Sequence, residues 1–302
     1  MTESILALPV RFKGNYIEVL DETLLPFNEK YIRVDTLEYA LSVLGSMKTR
    51  AMGQVLLFFY SCVLFEKNNS IDEIAGKFKD IRPTFDFILL ADLVKKALAK
   101  EKSIKSAVES FINGFQDARH KRAKSLASIL PDDARVLTIC NVNSELIYLA
   151  EEMHKLNKKI FFYVCETRPY LQGTRLTFWE LRKRGISCKL ICISQSASLM
   201  QEGSISTVIT GADRSSTRGA VINKIGTYSL AILAKHFNIA FYPLVQYAKD
   251  IDIDAIKIEE RAKSEVFMFL KGDFAHMDAL YPAFDVVEKE LITKNIDLTK
   301  LN

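Results

Sequence analysis

The sequence predicts an α/β protein in which a small β-hairpin and a helical N-terminal domain precede a Rossmann-like domain with a doubly wound parallel sheet. Residues 36–129 carry apolar side chains at helical spacing, whereas residues 132–302 alternate short apolar runs with helix-like segments. Such alternation is typical of a parallel sheet with helices on both faces. The 302 residues are enough for two domains, which we expect to span residues 1–131 and 132–302.

The N-terminal region begins with the predicted hairpin. In LPVRFKGNYIEVLDETLLP, the residues Lys13, Gly14 and Asn15 separate two short β-prone runs. The most apolar run of the chain, residues 51–65, is shorter than the roughly 20 residues that span a bilayer, so we expect a buried helix there. Residues 103–130 are amphipathic over their whole length and predict a long helix that ends before Pro131.

Five apolar runs predict the strands of the C-terminal sheet. They are nearly continuous in apolar character, as expected for strands buried on both faces. In chain order they are VLTICN (136–141), IFFYVCE (160–166), CKLICIS (188–194), TVITGAD (207–213) and IAFYPLV (239–245).

The charge and the cysteine content of the sequence indicate which partners to exclude and which cellular compartment to expect. The 41 Lys and Arg residues against 37 Asp and Glu residues give a net charge of +4, too small to indicate nucleic acid or an anionic membrane as a partner. The five scattered cysteines suit a reducing compartment, and the N-terminus lacks the basic flank and apolar core of a signal peptide. We therefore expect a cytoplasmic protein.

Cofactor and metal motifs are missing from the sequence. No G-x-G-x-x-G follows the first strand of the C-terminal domain, and no G-x-x-x-x-G-K-[ST] occurs. Cys188 and Cys192 lie four residues apart, but without further ligands at zinc spacing we expect both to be buried core residues. No metal and no cofactor is expected.

Polar side chains at the ends of the predicted strands form a candidate site. Ligands of open parallel sheets bind beyond the carboxyl ends of the strands, where Cys140, Glu166 and Asp213 are found. The helix expected after Asp213 would add Asn223 and Lys224. A thiol, an acid and an ammonium group at one sheet edge predict a general acid–base site for a small anionic substrate.

Each of these residues also has a purely structural interpretation. Cys140 could be a packed small hydrophobe, and Asp213 could be the N-cap of the following helix. Lys224 could be a solvated helix residue, and Glu166 could pair with Arg168. The combination of residues, more than any one of them, favours a functional site.

Several segments together resemble the methylthioribose-1-phosphate isomerase family. That family is related to the ribose-1,5-bisphosphate isomerases and to the regulatory subunits of the exchange factor for translation initiation factor 2. The resemblance covers nearly the whole chain. The segments that carry it are LDETLLP (20–26), IRPT (81–84), ETRPYLQGTRLTFWEL (166–181), GADR (211–214), GAVINKIGTYSLAILAK (219–235), IEER (258–261) and PAFDVV (282–287).

The resemblance implies an aldose–ketose isomerase that acts on a pentose 1-phosphate without a metal or nucleotide cofactor, as a homodimer. It places the catalytic pair at Cys140 and Asp213, and the substrate-binding residues at Arg50, Arg82, Gln172, Asn223 and Lys224. Asp213 would hold a proton for ring opening, because burial raises the pKa of a carboxyl group. Lys224 and the two arginines would hold the phosphate dianion.

Two other functions remain open at this point. One is a non-catalytic sugar-phosphate or nucleotide sensor, or a regulatory subunit that acts through protein contacts. The segments after Arg50, after Cys140 and after the fifth strand differ from those of the isomerases, which leaves room for that interpretation. The other, a redox protein that uses Cys140, is disfavoured because no resolving cysteine lies nearby in the sequence.

Overall fold

The structure is a computed structural model that describes residues 4–253, 255–274 and 276–300. The chain forms two units: Met1–Lys121 with Asn143–Glu145, and Arg122–Val142 with Leu146–Asn302. The domain boundary expected at residue 131 stays a prediction. No helix within the described residues combines the length and the apolar content that crossing a membrane requires.

The first unit begins with an antiparallel sheet of β1 (Val10–Phe12), β2 (Ile17–Leu20) and β3 (Tyr31–Val34). The pairing of Val10 with Val19 and of Phe12 with Ile17 confirms the predicted hairpin, whose turn contains Gly14 at φ 88°. β3 extends this hairpin by pairing with β2.

Helices follow this sheet and build the core of the first unit. The described helices are α1 (Leu37–Gly45), α2 (Met52–Leu64), α3 (Ile71–Ile81), α4 (Phe87–Leu98) and α5 (Ile104–Ile129). α2 is the predicted buried helix, and its Phe58 ring lies 5.4 Å from Phe78 and 5.6 Å from Phe87. Since α3 and α4 supply those two rings, aromatic packing joins three helices around one centre.

The second unit contains a parallel sheet in which strands lie in the order β12, β10, β7, β4, β5, β6. The described strands are β4 (Ala134–Thr138), β5 (Ile160–Cys165), β6 (Cys188–Ile191), β7 (Thr207–Gly211), β10 (Ala240–Val245) and β12 (Ile296–Asp297). Its helices are α6 (Glu145–Lys155), α7 (Trp179–Lys183), α8 (Ser196–Gln201) and α9 (Thr227–His236).

This sheet confirms the predicted fold class. All five predicted apolar runs form strands, each within a few residues of its expected position. Adjacent residues of one strand enter different apolar clusters, as Val136 and Leu137 do in β4, so both faces of the sheet are covered. Taken in chain order, the strands run outward from β4 on one side and then outward from β7 on the other. This is the doubly wound order, and its switch point lies between β4 and β7.

A smaller antiparallel sheet lies in the same unit and corrects one prediction. It contains β8 (Arg214–Ser215), β9 (Val221–Lys224) and β11 (Phe284–Val287) in the order β11, β9, β8. The helix expected to carry Asn223 and Lys224 begins only at Thr227, so placing these residues on a helix was wrong. Gly226, at φ 100°, separates the strand from the helix.

The cysteine prediction was half right. Cys188 is buried in β6, as expected. Cys192 is exposed, because β6 ends at Ile191 and the chain turns there into a short 3-10 helix at Ile193–Gln195.

Candidate active site

Cys140 lies just beyond the carboxyl end of β4, on the β4 side of the switch point. Its backbone is left-handed, with φ 65°. Two threonines hold that backbone: the Cys140 amide donates to Thr167 Oγ1 at 2.9 Å, and Thr177 Oγ1 donates to the Cys140 carbonyl at 2.7 Å. The thiol is half-buried. Because both threonines follow the neighbouring strand β5, the segment after that strand fixes the backbone of Cys140 and so the direction in which its side chain leaves the chain.

That neighbouring loop, residues 166–173, follows β5 and contains the predicted substrate ligand Gln172. Thr167 is also left-handed, at φ 65°, and its hydroxyl donates to the Cys165 carbonyl at 3.0 Å. Gly173 packs so closely that an added Cβ would lie 1.7 Å from the Cys165 carbonyl oxygen, so only glycine fits. The buried Gln172 side chain has no partner for its Oε1 among the described residues. A ligand with a hydrogen-bond donor would satisfy it.

Glu166 in this loop does not form the ion pair with Arg168 that was considered from the sequence. The Arg168 guanidinium instead donates to the Val266 carbonyl at 2.7 Å and lies 4.9 Å from the centroid of the Phe269 ring.

Asp213 lies two residues beyond β7, on the other side of the switch point, and is half-buried. Its amide donates to the Ile222 carbonyl at 2.8 Å, which ties it to β9. The strand β8 follows at once, so Asp213 does not cap a helix and that interpretation was wrong. Oriented to satisfy its neighbours, the amide nitrogen of Asn223 lies 3.2 Å from Asp213 Oδ2 and 3.2 Å from the Gly211 carbonyl oxygen.

Lys224 is the next residue of β9 and is only 5% exposed, so the interpretation as a solvated helix residue was wrong. Its Nζ lies 4.7 Å from the centroid of the Phe284 ring and 5.9 Å from that of Tyr281. Aromatic faces attract a cation and replace part of its lost hydration. β9 therefore presents a carboxamide and an ammonium group as consecutive buried side chains.

Asp285 is a residue of this region to which the sequence assigned no role, although PAFDVV contains it. It pairs with Asn223 in the β9–β11 ladder. Its Oδ2 accepts from the amides of Gly226 at 2.7 Å and Tyr228 at 3.0 Å, so it caps the start of α9. Burial raises the pKa of this carboxyl group, while the two amides and Lys224 oppose that rise. Acidic residues that cap a helix are normally sought just upstream of it, and this cap comes from a strand about 60 residues later.

The two predicted arginine ligands belong to the first unit. Arg50 is buried, its amide donates to Glu22 Oε1 at 3.2 Å, and its guanidinium lies 4.0 Å from Glu22 Oε2. Arg82 is buried too, with its guanidinium 2.8 Å from the sulfur of Met47 and 3.5 Å from Gln54 Oε1. Both side chains are thus held in place within their own unit.

Glu22 is a further buried acid that the sequence did not single out, although it lies in LDETLLP. Burial raises its pKa to about 7, against the opposing effects of Arg50 and of the hydrogen bond that Thr49 donates at 2.8 Å. The nominal ion pair with Arg50 is therefore weaker than the cost of burying the charge.

The chemistry available in the second unit is that of acid–base catalysis on an anion. Cys140 and Asp213 follow adjacent parallel strands, so both lie at the edge of the sheet where ligands of such folds bind, one on each side of the switch point. In the described part of the chain, no group of three or more His, Cys, Asp or Glu side chains could hold a metal ion.

Comparison with known proteins gives a consistent picture. The model of the Initiation factor 2 subunit family matches residues 81–297. A protein named methylthioribose-1-phosphate isomerase from Aquifex aeolicus (strain VF5) is 33% identical over 308 residues, which cover 96% of this chain and 68% of that protein.

Two solved structures are similar over most of their length. The 5-methylthioribose 1-phosphate isomerase from Pyrococcus horikoshii OT3 aligns with a TM-score of 0.75 and 25% identity, and the alignment covers 95% of this chain and 90% of that one. The translation initiation factor eIF-2B subunit delta from A. fulgidus aligns with a TM-score of 0.72 and 27% identity, covering 96% and 94%.

Proposed function

Because the chain belongs to the Initiation factor 2 subunit family and, within it, to the methylthioribose-1-phosphate isomerases, we propose that it is an aldose–ketose isomerase. The substrate is a pentose 1-phosphate, either 5-methylthioribose 1-phosphate or a close analogue, and the product is the ketose 1-phosphate. The observation that carries this proposal is the placement of a thiol and a carboxyl group at the switch point of the sheet, after β4 and β7.

The proposed reaction begins with ring opening, since an aldose 1-phosphate has no free carbonyl group. Asp213 donates a proton to the ring oxygen as the bond between that oxygen and C1 breaks. The Asn223 amide, 3.2 Å from Asp213 Oδ2, orients this carboxyl group and supports the carboxylate that forms. Asp213 is the catalytic acid of the proposal.

In the second step the Cys140 thiolate takes the proton from C2 and delivers it to C1. The Asp213 carboxylate left by the first step takes the proton of the C2 hydroxyl, so that C2 becomes the carbonyl carbon and both groups return to their starting states. Cys140 is the catalytic residue for this step, and its fixed backbone aims the thiol at one place. Lys224 binds the phosphate, because its ammonium group is buried beside the switch point and lies against two aromatic rings, where a dianion would find a poorly hydrated cation. Gln172, Asn223, Arg50 and Arg82 complete the proposed substrate ligands.

Turnover by active-site variants tests the proposal. Purified protein is incubated with 5-methylthioribose 1-phosphate, 5-deoxyribose 1-phosphate and ribose 1,5-bisphosphate in the presence of EDTA, and ketose products are followed by NMR. We expect turnover of at least one, and a loss of about 100-fold or more in Cys140→Ser and Asp213→Asn, because each removes a proton-transfer group. Cys192→Ser, which changes an exposed thiol, serves as the matched control and keeps wild-type activity.

The similarity to the eIF-2B delta subunit favours a second candidate, a non-catalytic sugar-phosphate or nucleotide sensor or a regulatory subunit. Tight binding of one sugar phosphate without turnover would establish that candidate and reject the enzyme. If cells that lack the protein are restored equally well by the wild type, by Cys140→Ser and by Asp213→Asn, that result would also favour the non-catalytic candidate.

We also propose that the protein acts as a cytoplasmic homodimer and needs no cofactor. Sedimentation velocity or light scattering at micromolar concentration should give twice the mass of the 302-residue chain. A monomer would show that the proposed homodimer is wrong and would leave the proposed isomerase reaction unaffected.

A further inference from the structure

Tyr281 has a buried hydroxyl group for which the fold provides no use. The side chain is 5% exposed, and its hydroxyl has no hydrogen-bond partner among the described residues. Native proteins pair the great majority of their buried polar groups, since an unpaired one costs about 1–3 kcal/mol. A group that persists unpaired beside a candidate site is therefore expected to have a partner that arrives with a ligand.

The backbone around Tyr281 is held firmly. Its carbonyl accepts from the Arg261 amide at 3.0 Å, and the Ala283 amide donates to the Glu259 carbonyl at 2.8 Å. The Ala283 carbonyl accepts from the Ile225 amide at 3.1 Å, which ties the segment to the end of β9. Three residues after Tyr281, Phe284 opens β11 and pairs with Lys224. The Tyr281 ring is thus positioned by backbone pairing on both sides.

The surroundings of the hydroxyl group are those of the candidate site. The Tyr281 ring lies 5.9 Å from the Lys224 ammonium group, the proposed phosphate ligand. Burial raises the pKa of the Tyr281 phenol, and the negative charges that Tyr170, Glu265 and Cys140 can carry raise it further, while Arg261 opposes them. Cys140 therefore lies near enough to act on the phenol electrostatically, and the phenol remains protonated as a donor at neutral pH.

An ion cluster next to Tyr281 occupies the groups that could otherwise bond to it. The Arg261 guanidinium binds Glu265 at 2.6 Å and Glu259 at 3.0 Å, and it donates to the Tyr170 hydroxyl at 2.8 Å. These contacts engage the nearby charges without involving Tyr281. The phenol thus keeps an unpaired hydroxyl near the proposed phosphate ligand Lys224.

We propose that Tyr281 is a substrate-binding residue whose hydroxyl donates a hydrogen bond to an oxygen of the bound sugar phosphate. This inference rests on the proposed function, and it adds a ligand from the segment before β11 to those on β9 and after β5. The oxygen belongs either to the phosphate or to a sugar hydroxyl adjacent to it, because the phenol lies near both Lys224 and Cys140.

The variant Tyr281→Phe tests the inference, because it removes the hydroxyl and keeps the ring beside Lys224. Loss of the hydrogen bond should weaken binding of the sugar phosphate, measured by calorimetry and as kcat/KM. The expected loss is about ten-fold or more for a bond to the charged phosphate and about three- to ten-fold for a bond to a neutral sugar hydroxyl. The melting temperature without ligand should stay equal or rise, since an unpaired buried hydroxyl is removed. If Tyr281 had only a structural role, Tyr281→Phe would lower the melting temperature and leave binding of the sugar phosphate unchanged.

The matched control is Tyr31→Phe. The Tyr31 hydroxyl is also buried without a partner among the described residues, but its ring lies on β3 of the first unit, under the Arg11 guanidinium at 4.3 Å. This variant should bind and turn over substrate like the wild type. Inhibition by inorganic phosphate identifies the bonded oxygen: weaker inhibition of Tyr281→Phe assigns the bond to the phosphate, and unchanged inhibition assigns it to a sugar hydroxyl.

Two failures can be told apart. If the wild type turns over a sugar phosphate and Tyr281→Phe matches it in Kd and kcat/KM, the inference about Tyr281 is wrong and the proposed function stands. If the wild type neither binds nor converts any of the three sugar phosphates, the proposed function is wrong, and the role of Tyr281 is rejected with it.

Discussion

Asn223 lies between the two oppositely charged types of group in the candidate site, the Asp213 carboxyl group and the Lys224 ammonium group. It pairs with Asp285 in the ladder of the small sheet, and its amide nitrogen lies 3.2 Å from Oδ2 of the Asp213 carboxyl group. The next residue, Lys224, points into aromatic rings. Successive residues of a strand face opposite sides, so one short strand can contact the proposed catalytic acid and present the proposed phosphate ligand.

Glu22 gives a residue-scale prediction about pH. Its pKa is raised from 4.5 to about 7 by burial, so the folded protein retains a proton that the unfolded chain releases at lower pH. The protonated Glu22 therefore contributes its full stabilisation of the folded state below pH 4.5, and this contribution is lost as the pH rises through about 7. Between about pH 4 and about pH 8 this group should cost the wild type roughly 3 kcal/mol of unfolding free energy.

Urea unfolding of the wild type and of Glu22→Gln at several pH values measures this contribution. The introduced carboxamide keeps an oxygen that can accept from Thr49 and from the Arg50 amide, so the variant should lose the pH dependence while remaining folded. Identical slopes of stability against pH in the two proteins would show that Glu22 does not titrate in this range.

Elements of the second unit show where local sequence patterns suffice and where they fail. The strands of the parallel sheet were predictable, because burial on both faces makes each of them a continuous apolar run. β9 was not predictable as a strand, since it pairs with β11 about 60 residues later and nothing in VINK marks that partner. Its end is marked locally only by Gly226 at φ 100°, and a glycine at that point also fits a helical interpretation.

The same reasoning explains which site residues were missed. Cys140 and Asp213 could be proposed from the sequence because one rule places ligands at strand ends. Phe284 and Asp285 reach Lys224 and Asn223 through a long-range strand pairing, and Tyr281 lies three residues before that strand; apolar periodicity does not reveal such a pairing.

Removal of the cap on α9 gives an element-scale prediction. Asp285→Ala leaves the amides of Gly226 and Tyr228 without their acceptor and should lower stability by about 1–2 kcal/mol. It should also reduce turnover, because the corner between β9 and α9 carries Asn223 and Lys224. Chemical denaturation and steady-state kinetics measure the two effects.

Ser70→Ala is the matched control for that variant. Ser70 caps α3 in the first unit through a reciprocal capping box with Glu73, so its loss should cost about 1 kcal/mol and leave turnover unchanged. If Asp285→Ala and Ser70→Ala both kept wild-type turnover, Asp285 would have only a helix-capping role and its expected effect on turnover would be wrong.

At the scale of the whole molecule, the described residues divide into units with separate apolar cores. One cluster includes Phe58 and Phe87 of the helical unit, and others cover the two faces of the parallel sheet. The fold class was predictable from the sequence because each core leaves its own periodicity, helical in one region and strand-like in the other.

The five cysteines provide a molecule-scale prediction that samples both units. Cys192 is exposed and should react first with a thiol reagent, followed by the half-buried Cys140. Cys62, Cys165 and Cys188 are buried, and burial raises the pKa of each thiol, that of Cys165 to about 12, so they should react only after unfolding.

Mass spectrometry after timed labelling measures the order of reaction. A bound sugar phosphate should protect Cys140 and leave Cys192 unchanged. Protection of Cys192 by the ligand, or rapid labelling of Cys165 in the native protein, would contradict the arrangement described for the second unit.

The left-handed backbone at Cys140 places a stability cost on the thiol. A side chain other than glycine costs about 1–2 kcal/mol at such a position, and glycine or asparagine would adopt it with less strain. A cysteine is therefore a poor choice for stability at this position. The proposed catalytic role of Cys140 supplies a reason to accept that cost, because neither glycine nor asparagine carries a group that can exchange a proton with substrate.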